Sequence, residues 1–241
     1  MKLIFHGTRG YIDPATDRHR RHSVCEVRYR GKSVIIDWGD DWLGRFDELR
    51  PQAIVVTHTH PDHSGGLQDG APCPVYATEA AWEDLADFPI EDRRTVKPRQ
   101  PVEIRGIDFE AFEVQHSIRA PAVGYRIRAG RVTVFYVPDL VYIHERAEAL
   151  GGCKLYIGDG ASVDIEMVRK SEDGQLFGHT PVRTQLTWCQ KEGVPEMIVT
   201  HCGSQIVEGE GEGVRDKLEA YARQREVKVT VAHDGMERVV R

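Results

Sequence analysis

The sequence predicts an α/β protein organised as a sandwich of packed sheets, and three observations predict it. Val102 to Ile104, Ile107 to Val114, Ala122 to Arg128 and Val132 to Val137 read as successive antiparallel strands, with Gly106 and Gly130 at the turns and no long helix between them. Such a run makes one sheet of a sandwich. Ile54, Val55 and Val56 form a β-branched stretch of the kind found in buried strands. That stretch runs directly into the densest polar cluster of the chain, His58, His60, Asp62 and His63. A length of 241 residues suits one larger domain, so residues 1–241 are expected to form a single domain.

Taken in order, residues 2 to 6 read as a strand broken by Gly7-Thr8-Arg9-Gly10, after which a polar loop runs to His22. Ser23 to Tyr29 and Ser33 to Asp37 form a hairpin about Arg30-Gly31-Lys32. Residues 40 to 50 hold a helical turn that Pro51 ends. After the histidine cluster, whose Pro61, Ser64, Gly65 and Gly66 place it on a loop, Val75 to Ala77 is a strand. Thr78 caps a helix to Ala86, and Glu91 to Lys97 is a charged connector. Beyond the antiparallel run, Tyr142 to Leu150 reads as helix and Lys154 to Ile157 as a strand, while Ser162 to Asp173 has no clear pattern. Pro181 to Lys191 is a helix with Thr180 as cap, Glu196 to Thr200 a strand, Gly213 to Gln224 an amphipathic helix, and Val227 to Val231 and Met236 to Val240 the closing strands.

Composition narrows the function classes. A net charge of −6, with acids and bases interspersed, argues against bulk capture of nucleic acid or of an anionic membrane. The stretch Arg18 to His22 is the local exception, read either as a solvated loop or as a contact for a phosphorylated substrate. No apolar run approaches the roughly 20 residues that span a bilayer, and the N-terminal apolar stretch is too short for a signal peptide. Five cysteines without a Cys-x-x-Cys pairing suit reduced thiols in a cytoplasmic protein; Cys202, beside His201, reads as a packed thiol rather than a ligand.

Three imidazoles and a carboxylate within six residues need a reason, because clustered imidazolium ions repel. Neutral imidazoles with one carboxylate suit a divalent metal. Asp37, at the end of a strand beside the cluster, is placed to accept the free N–H of a metal-bound imidazole and fix its tautomer. Later in the chain, His116, Asp139 and His201 each lie just beyond an apolar strand, where a loop can turn them to a common rim. Ile54-Val55-Val56-Thr57-His58 is echoed by Met197-Ile198-Val199-Thr200-His201, as if two related halves delivered a histidine to the same edge. There is no P-loop, dinucleotide loop, zincin helix or nucleophile elbow.

His-x-His-x-Asp-His, followed in order by His116, Asp139 and His201, resembles the signature of the metallo-β-lactamase superfamily. The resemblance implies a four-layer αββα sandwich with two divalent ions at one edge of its sheets. It implies that His58, His60 and His116 hold the first ion, that Asp62, His63 and His201 hold the second, and that Asp139 bridges them. Zn²⁺ is the expected ion, with Mn²⁺ and Fe²⁺ as alternatives. Gly-Thr-Arg-Gly, Ile-Asp-Trp-Gly, Gln-His-Ser, Pro-Asp-Leu, Gly-His-Thr, Thr-His-Cys-Gly-Ser and Ala-His-Asp-Gly-Met are further similar to its phosphodiesterase branch, which includes RNase Z and the cyclic phosphodiesterase of phosphonate breakdown.

In that branch a histidine before a late helix acts as general acid, and His179 occupies its place. A protonated imidazole there would donate to the departing oxygen while a hydroxide between the ions attacks. Asp159 takes the place of the acid that positions it, although Gly-Asp-Gly-Ala departs from the usual Glu-Ala-Thr. His179, Asp159 and Asp62 are thus the catalytic candidates. The tRNA enzymes carry a basic arm between the third histidine and the bridging aspartate; here residues 117 to 138 are filled by a hairpin. A small phosphodiester, cyclic phosphate or nucleotide is therefore expected rather than structured RNA, with no membrane partner and room for a homodimer. The alternatives are a hydrolase of carboxylic esters, lactones or thioesters, and a metal-binding sensor without turnover. His6 and His22 are expected near the substrate mouth; His233 and Asp234 are expected to be structural.

Overall fold

Both sheets of this chain are buried on two faces, which explains why so many of its strands are unbroken apolar runs. The structure is a computed structural model describing residues 1–209 and 212–241. The first half lays down β1 (Lys2–Gly7), β2 (Val24–Tyr29), β3 (Lys32–Ile36), β4 (Ile54–Val55), β5 (Val75–Ala77) and β6 (Arg93–Thr95). Then follow β7 (Val102–Ile104), β8 (Ile107–Gln115), β9 (Ala122–Ala129), β10 (Val132–Tyr136), β11 (Tyr142–Ile143) and β12 (Leu155–Asp159). A separate hairpin of β13 (Arg169–Lys170) and β14 (Leu176–Phe177) precedes β15 (Glu196–Thr200), β16 (Lys228–Val231) and β17 (Met236–Val239). One sheet has the order β17-β1-β2-β3-β4-β5-β6; the other has β11-β8-β9-β10-β12-β15-β16, with β7 paired to β8.

Alternation along the strands sorts the apolar side chains into three layers. Val34 and Ile36, Val134 and Tyr136, Leu155 and Ile157, and Ile198 face the space between the sheets. The intervening Phe135, Val137, Tyr156, Met197 and Val199 face outward, against α4 (Arg146–Leu150), α5 (Val182–Lys191), α6 (Ser204–Val207) and α7 (Glu212–Arg223). On the other side Ile35, Ile54 and Val56 pack beneath α1 (Phe46–Leu49) and α3 (Glu79–Asp84). Helix, sheet, sheet, helix is the four-layer αββα arrangement expected. Thr78 caps α3, its hydroxyl accepting from the Ala81 amide at 3.2 Å.

Several local expectations are corrected. The connector 91–97 contains β6, whose exposed arginine-rich strand pairs in parallel with β5 at the sheet edge. Tyr142 to Leu150 is not one helix, because Tyr142 and Ile143 pair with Gln115 and Val114 before α4 begins. Thr180 is not a cap: Pro181 holds that position without a side-chain bond, and the Thr180 hydroxyl donates to the Val141 carbonyl instead. The histidine cluster is not a plain loop. Pro61 to Ser64 form a helical turn, α2, entered from an extended His60. The patternless stretch 162–173 carries the first strand of the β13–β14 hairpin.

What positions the site is strand direction. β3, β4, β8, β10, β12 and β15 all end at one rim of the sandwich, and Asp37, the 57–63 segment, His116, Asp139, Asp159 and His201 sit at or just beyond those ends. Two bonds tie the sheets together there: the Val123 amide donates to the Thr57 carbonyl at 3.0 Å, and the Tyr125 hydroxyl to the Val56 carbonyl at 2.8 Å.

Candidate metal centre

His58, His60 and His116 converge first. Nε2 of His58 and Nε2 of His116 lie 3.1 and 3.2 Å from Nδ1 of His60. Tetrahedral Zn–N bonds of about 2.05 Å would set such nitrogens roughly 3.3 Å apart. The opposite nitrogens are already committed. His116 Nδ1 donates to the Gly178 carbonyl at 3.1 Å, and His58 Nδ1 lies 3.1 Å from the Thr57 hydroxyl. Burial pushes all three imidazoles down, His116 to about 4, so they are neutral donors at physiological pH.

A second group lies alongside. Asp62 Oδ2 is 3.1 Å from both His63 Nε2 and His201 Nε2. His63 Nδ1 donates to Asp37 Oδ2 at 2.8 Å, which leaves Nε2 as its free donor atom. Asp37 is in turn fixed by the Thr57 amide at 2.7 Å and the Thr57 hydroxyl, the arrangement anticipated for it. Asp139 lies between the groups, with Oδ2 at 2.7 Å from His63 and 4.0 Å from His58, and Oδ1 at 3.2 Å from His201. Burial would raise the Asp62 and Asp139 carboxyls, but the facing imidazoles hold both well below the usual range. His201 has φ +50°, a backbone region that non-glycine residues visit rarely and that clusters at functional sites.

The fit of a cation follows from what is left unpaired. His63 Nε2, Asp139 Oδ2 and His201 Nδ1 are buried and make no hydrogen bond, although their neighbours approach to about 3 Å. These atoms converge without an assigned hydrogen-bond partner, an arrangement that suits ligands around a shared ion. Five imidazoles and two carboxylates are a donor set for borderline divalent ions.

His179 stands beside this group. Its Nδ1 donates to Asp159 Oδ2 at 2.8 Å and is 3.4 Å from Asp139 Oδ1. Asp159 is fully buried, and the Leu140 and Ala161 amides fix its two oxygens at 3.1 and 2.8 Å. Burial alone would lower the His179 pKa; the Asp159 charge and hydrogen bond outweigh it and raise it.

All seven expected ligand positions, His179 and Asp159 are therefore brought together. Other expectations fare differently. His6 is paired with Glu26 at 2.8 Å on the β1–β2 surface. His22 is buried against Asp40 at 2.5 Å and Asp41 at 3.3 Å. The Arg18 to His22 stretch is tied down: Asp234 accepts the Arg20 and Arg21 amides and the Thr8 hydroxyl, and Arg21 pairs with Glu48. Asp234 thus has the structural role expected of it. Cys202 packs in the apolar layer under the outer helices. Gln185 was missed. It is fully buried, its amide group accepts from the Asp159 amide and the Tyr156 hydroxyl, and it donates to the Asp159 and Thr180 carbonyls. Its place on the Val182–Leu186–Cys189 face of α5 is the signal that marks a polar residue turned inward.

An αββα sandwich whose strand ends gather histidines and aspartates around convergent lone pairs is a metal-binding hydrolase scaffold. Residues 34–202 match the model of the Beta-lactamase superfamily domain, and the chain belongs to that superfamily. Over 98% of its length it is 26% identical to ribonuclease Z of Methanopyrus kandleri, covering 96% of that protein. The metallo-beta-lactamase fold protein YhfI of Bacillus subtilis superposes with a TM-score of 0.78 at 19% identity, covering 98% of this chain and 97% of the other. A diphosphatase of the PhnP family superposes with a TM-score of 0.69 at 21% identity, over 100% and 98% of the two chains. Among the described residues no helix is long and apolar enough to cross a membrane.

Proposed function

We propose that the chain, acting as one domain, is a dinuclear metal-dependent phosphodiesterase of small substrates. His58, His60 and His116 would hold one ion, Asp62, His63 and His201 the other, and Asp139 would be shared. When bound, such ions supply Lewis acidity toward phosphoryl oxygens and lower the pKa of water toward neutrality. Zn²⁺ suits the imidazole-rich half-site; Mn²⁺ and Fe²⁺ suit the carboxylates.

The observation that carries the reading is the His179–Asp159 pair at 2.8 Å. Asp159 occupies Nδ1, so the transferable proton resides on Nε2. The neighbouring Asp159 charge raises the His179 pKa and so favours the protonated ring, the form able to donate to an oxygen leaving from phosphorus. Asp159, itself held by two amides, fixes the ring and its tautomer. The burial of Asp62, His63 and Asp139 excludes bulk water from the reacting face. Two relatives support a phosphorus-centred reaction by name, one a ribonuclease and one a diphosphatase. A small substrate is supported by the β9–β10 hairpin, which accounts for most of the chain between His116 and Asp139, and by the net charge of −6.

The test is turnover of bis-p-nitrophenyl phosphate beside a panel of carboxylic esters, lactones and thioesters. His179→Ala is expected to slow phosphodiester cleavage by about 10²–10⁴-fold with metal content unchanged. Cleavage confined to the carboxylic panel, or an unaltered His179→Ala rate, rejects the reading.

A further inference from the structure

An amide side chain among apolar neighbours costs free energy unless its bonding capacity is filled. Gln185 fills all of it. It is fully buried on the Val182, Leu186 and Cys189 face of α5. Its Oε1 accepts from the Asp159 amide at 3.1 Å and from the Tyr156 hydroxyl at 3.0 Å. Its Nε2 donates to the Asp159 and Thr180 carbonyls, both at 2.8 Å.

Three of those four bonds fall on the two residues that frame His179. Asp159 gives both its amide and its carbonyl, and Thr180 is the residue after His179. Leu140 closes the same frame with its backbone: its amide donates to Asp159 Oδ2 at 3.1 Å, and its carbonyl accepts from the Thr180 amide at 2.8 Å. Gly158 makes room for the glutamine, since a Cβ there would lie 2.4 Å from Gln185 Oε1. Packing of α5 on the sheet needs only an apolar side chain at this place; the amide serves the backbone of Asp159 and Thr180.

We propose that Gln185 is a positioning residue for proton delivery: it clamps the Asp159 peptide to Thr180 and so holds the His179–Asp159 pair at 2.8 Å. The inference rests on the phosphodiesterase reading for the reaction served, and on the bonds of Gln185 alone for the clamp. In that reaction the bond from phosphorus to the leaving oxygen breaks, and that oxygen keeps the electron pair and takes the His179 Nε2 proton. Water supplies the new oxygen on phosphorus and returns a proton to Nε2. Misplacing a reacting group by about 1 Å costs on the order of 10²-fold, and the loss grows as the leaving oxygen becomes more basic.

Gln185→Met keeps the length and the apolar packing and removes all four bonds. Gln185→Glu keeps the shape but sets an oxygen against the Asp159 and Thr180 carbonyls, and it carries the comparison if the first variant does not fold. Two measurements on Zn²⁺-loaded protein read the clamp. The first needs no turnover. The proton resonance of His179 Nδ1–H, assigned by its absence in His179→Ala, is expected to be broadened or lost in both variants. That of His63 Nδ1–H, held by Asp37, should stay. The second is hydrolysis of methyl p-nitrophenyl phosphate and methyl phenyl phosphate, whose leaving groups differ in their need for a proton. The variants are expected to slow the phenyl ester at least about tenfold more than the nitrophenyl ester, as should His179→Ala, with metal content unchanged.

Equal slowing of both esters by the Gln185 variants, the result a helix-packing role alone would give, overturns the inference. So does a His179 resonance as sharp as in the wild type. The phosphodiesterase reading survives either result if His179→Ala keeps its leaving-group preference. A resonance lost in the variants of a protein that cleaves neither ester retains the clamp and rejects the phosphodiesterase reading.

Discussion

At the level of single residues, Asp37 shows how one carboxylate sets the chemistry of another side chain. It has φ +65°, which aspartate and asparagine tolerate better than most residues. One oxygen accepts from the Thr57 amide, the other from His63. Asp37→Asn keeps the shape and the backbone but turns one acceptor into a donor. Either Thr57 or His63 then faces an N–H, and the His63 tautomer that leaves Nε2 free is no longer enforced. On the proposed two-ion site, the expected result is a 10–100-fold weaker hold on one ion, seen as a fall in bound metal from two toward one equivalent after dialysis. Full retention of both ions would remove Asp37 from the ligand support. That Asp37, the seven residues proposed as ligands and Asp159 would gather at one rim was legible in the chain, because each sits close to where an apolar strand stops and polar turn residues begin. Gln185 was missed: its spacing with Val182, Leu186 and Cys189 marks a residue turned inward, but its four partners are set by the tertiary fold and leave no trace in the sequence.

Among the elements, the β13–β14 hairpin is the one the sequence concealed. Its strands are two residues each and partly or wholly exposed, so no alternation of apolar side chains announces them. It leads directly into Gly178, whose φ of +109° and contact with the Met167 carbonyl leave no room for a side chain. Gly178→Ala is expected to destabilise the fold by about 1–3 kcal/mol, read as a lower denaturation midpoint. Phosphodiester turnover should fall more than stability does, because His179 is the next residue. A variant with wild-type activity would argue against the proposed role of His179 as proton donor. The other boundary errors share a cause: β6, β11 and the non-capping Thr180 are all set by partners distant in sequence, Val75 to Ala77, Val114 to Gln115 and Val141.

For the molecule as a whole, the residues proposed as ligands come from both sheets. His58, His60, Asp62 and His63 follow β4 of the first; His116, Asp139 and His201 follow β8, β10 and β15 of the second. Ions bound to both would oppose separation of the layers and would take up three buried polar atoms, His63 Nε2, Asp139 Oδ2 and His201 Nδ1, that have no hydrogen-bond partner. Chelation is expected to lower the melting temperature substantially, since a ligand at 1,000 times its Kd adds about 4 kcal/mol of stability. Re-addition of Zn²⁺ or Mn²⁺ should restore it, and an unchanged melting temperature would argue that no ion links the sheets. The layer order itself was legible through the family signature and the unbroken apolar strands. The pairing of β17 with β1, which brings the chain's end back to its beginning, was not, because strand order across 230 residues leaves no local trace.

The bridge between Gly178 and His116 carries one more implication. The Gly178 amide donates to the His116 carbonyl at 2.8 Å, and the His116 ring donates back to the Gly178 carbonyl. The His116 segment and the backbone that leads into His179 are therefore joined through a single residue, Gly178. A change that displaces the hairpin would move both at once, so exchanging residues 164–177 is expected to disturb the settings of His116 and His179 together.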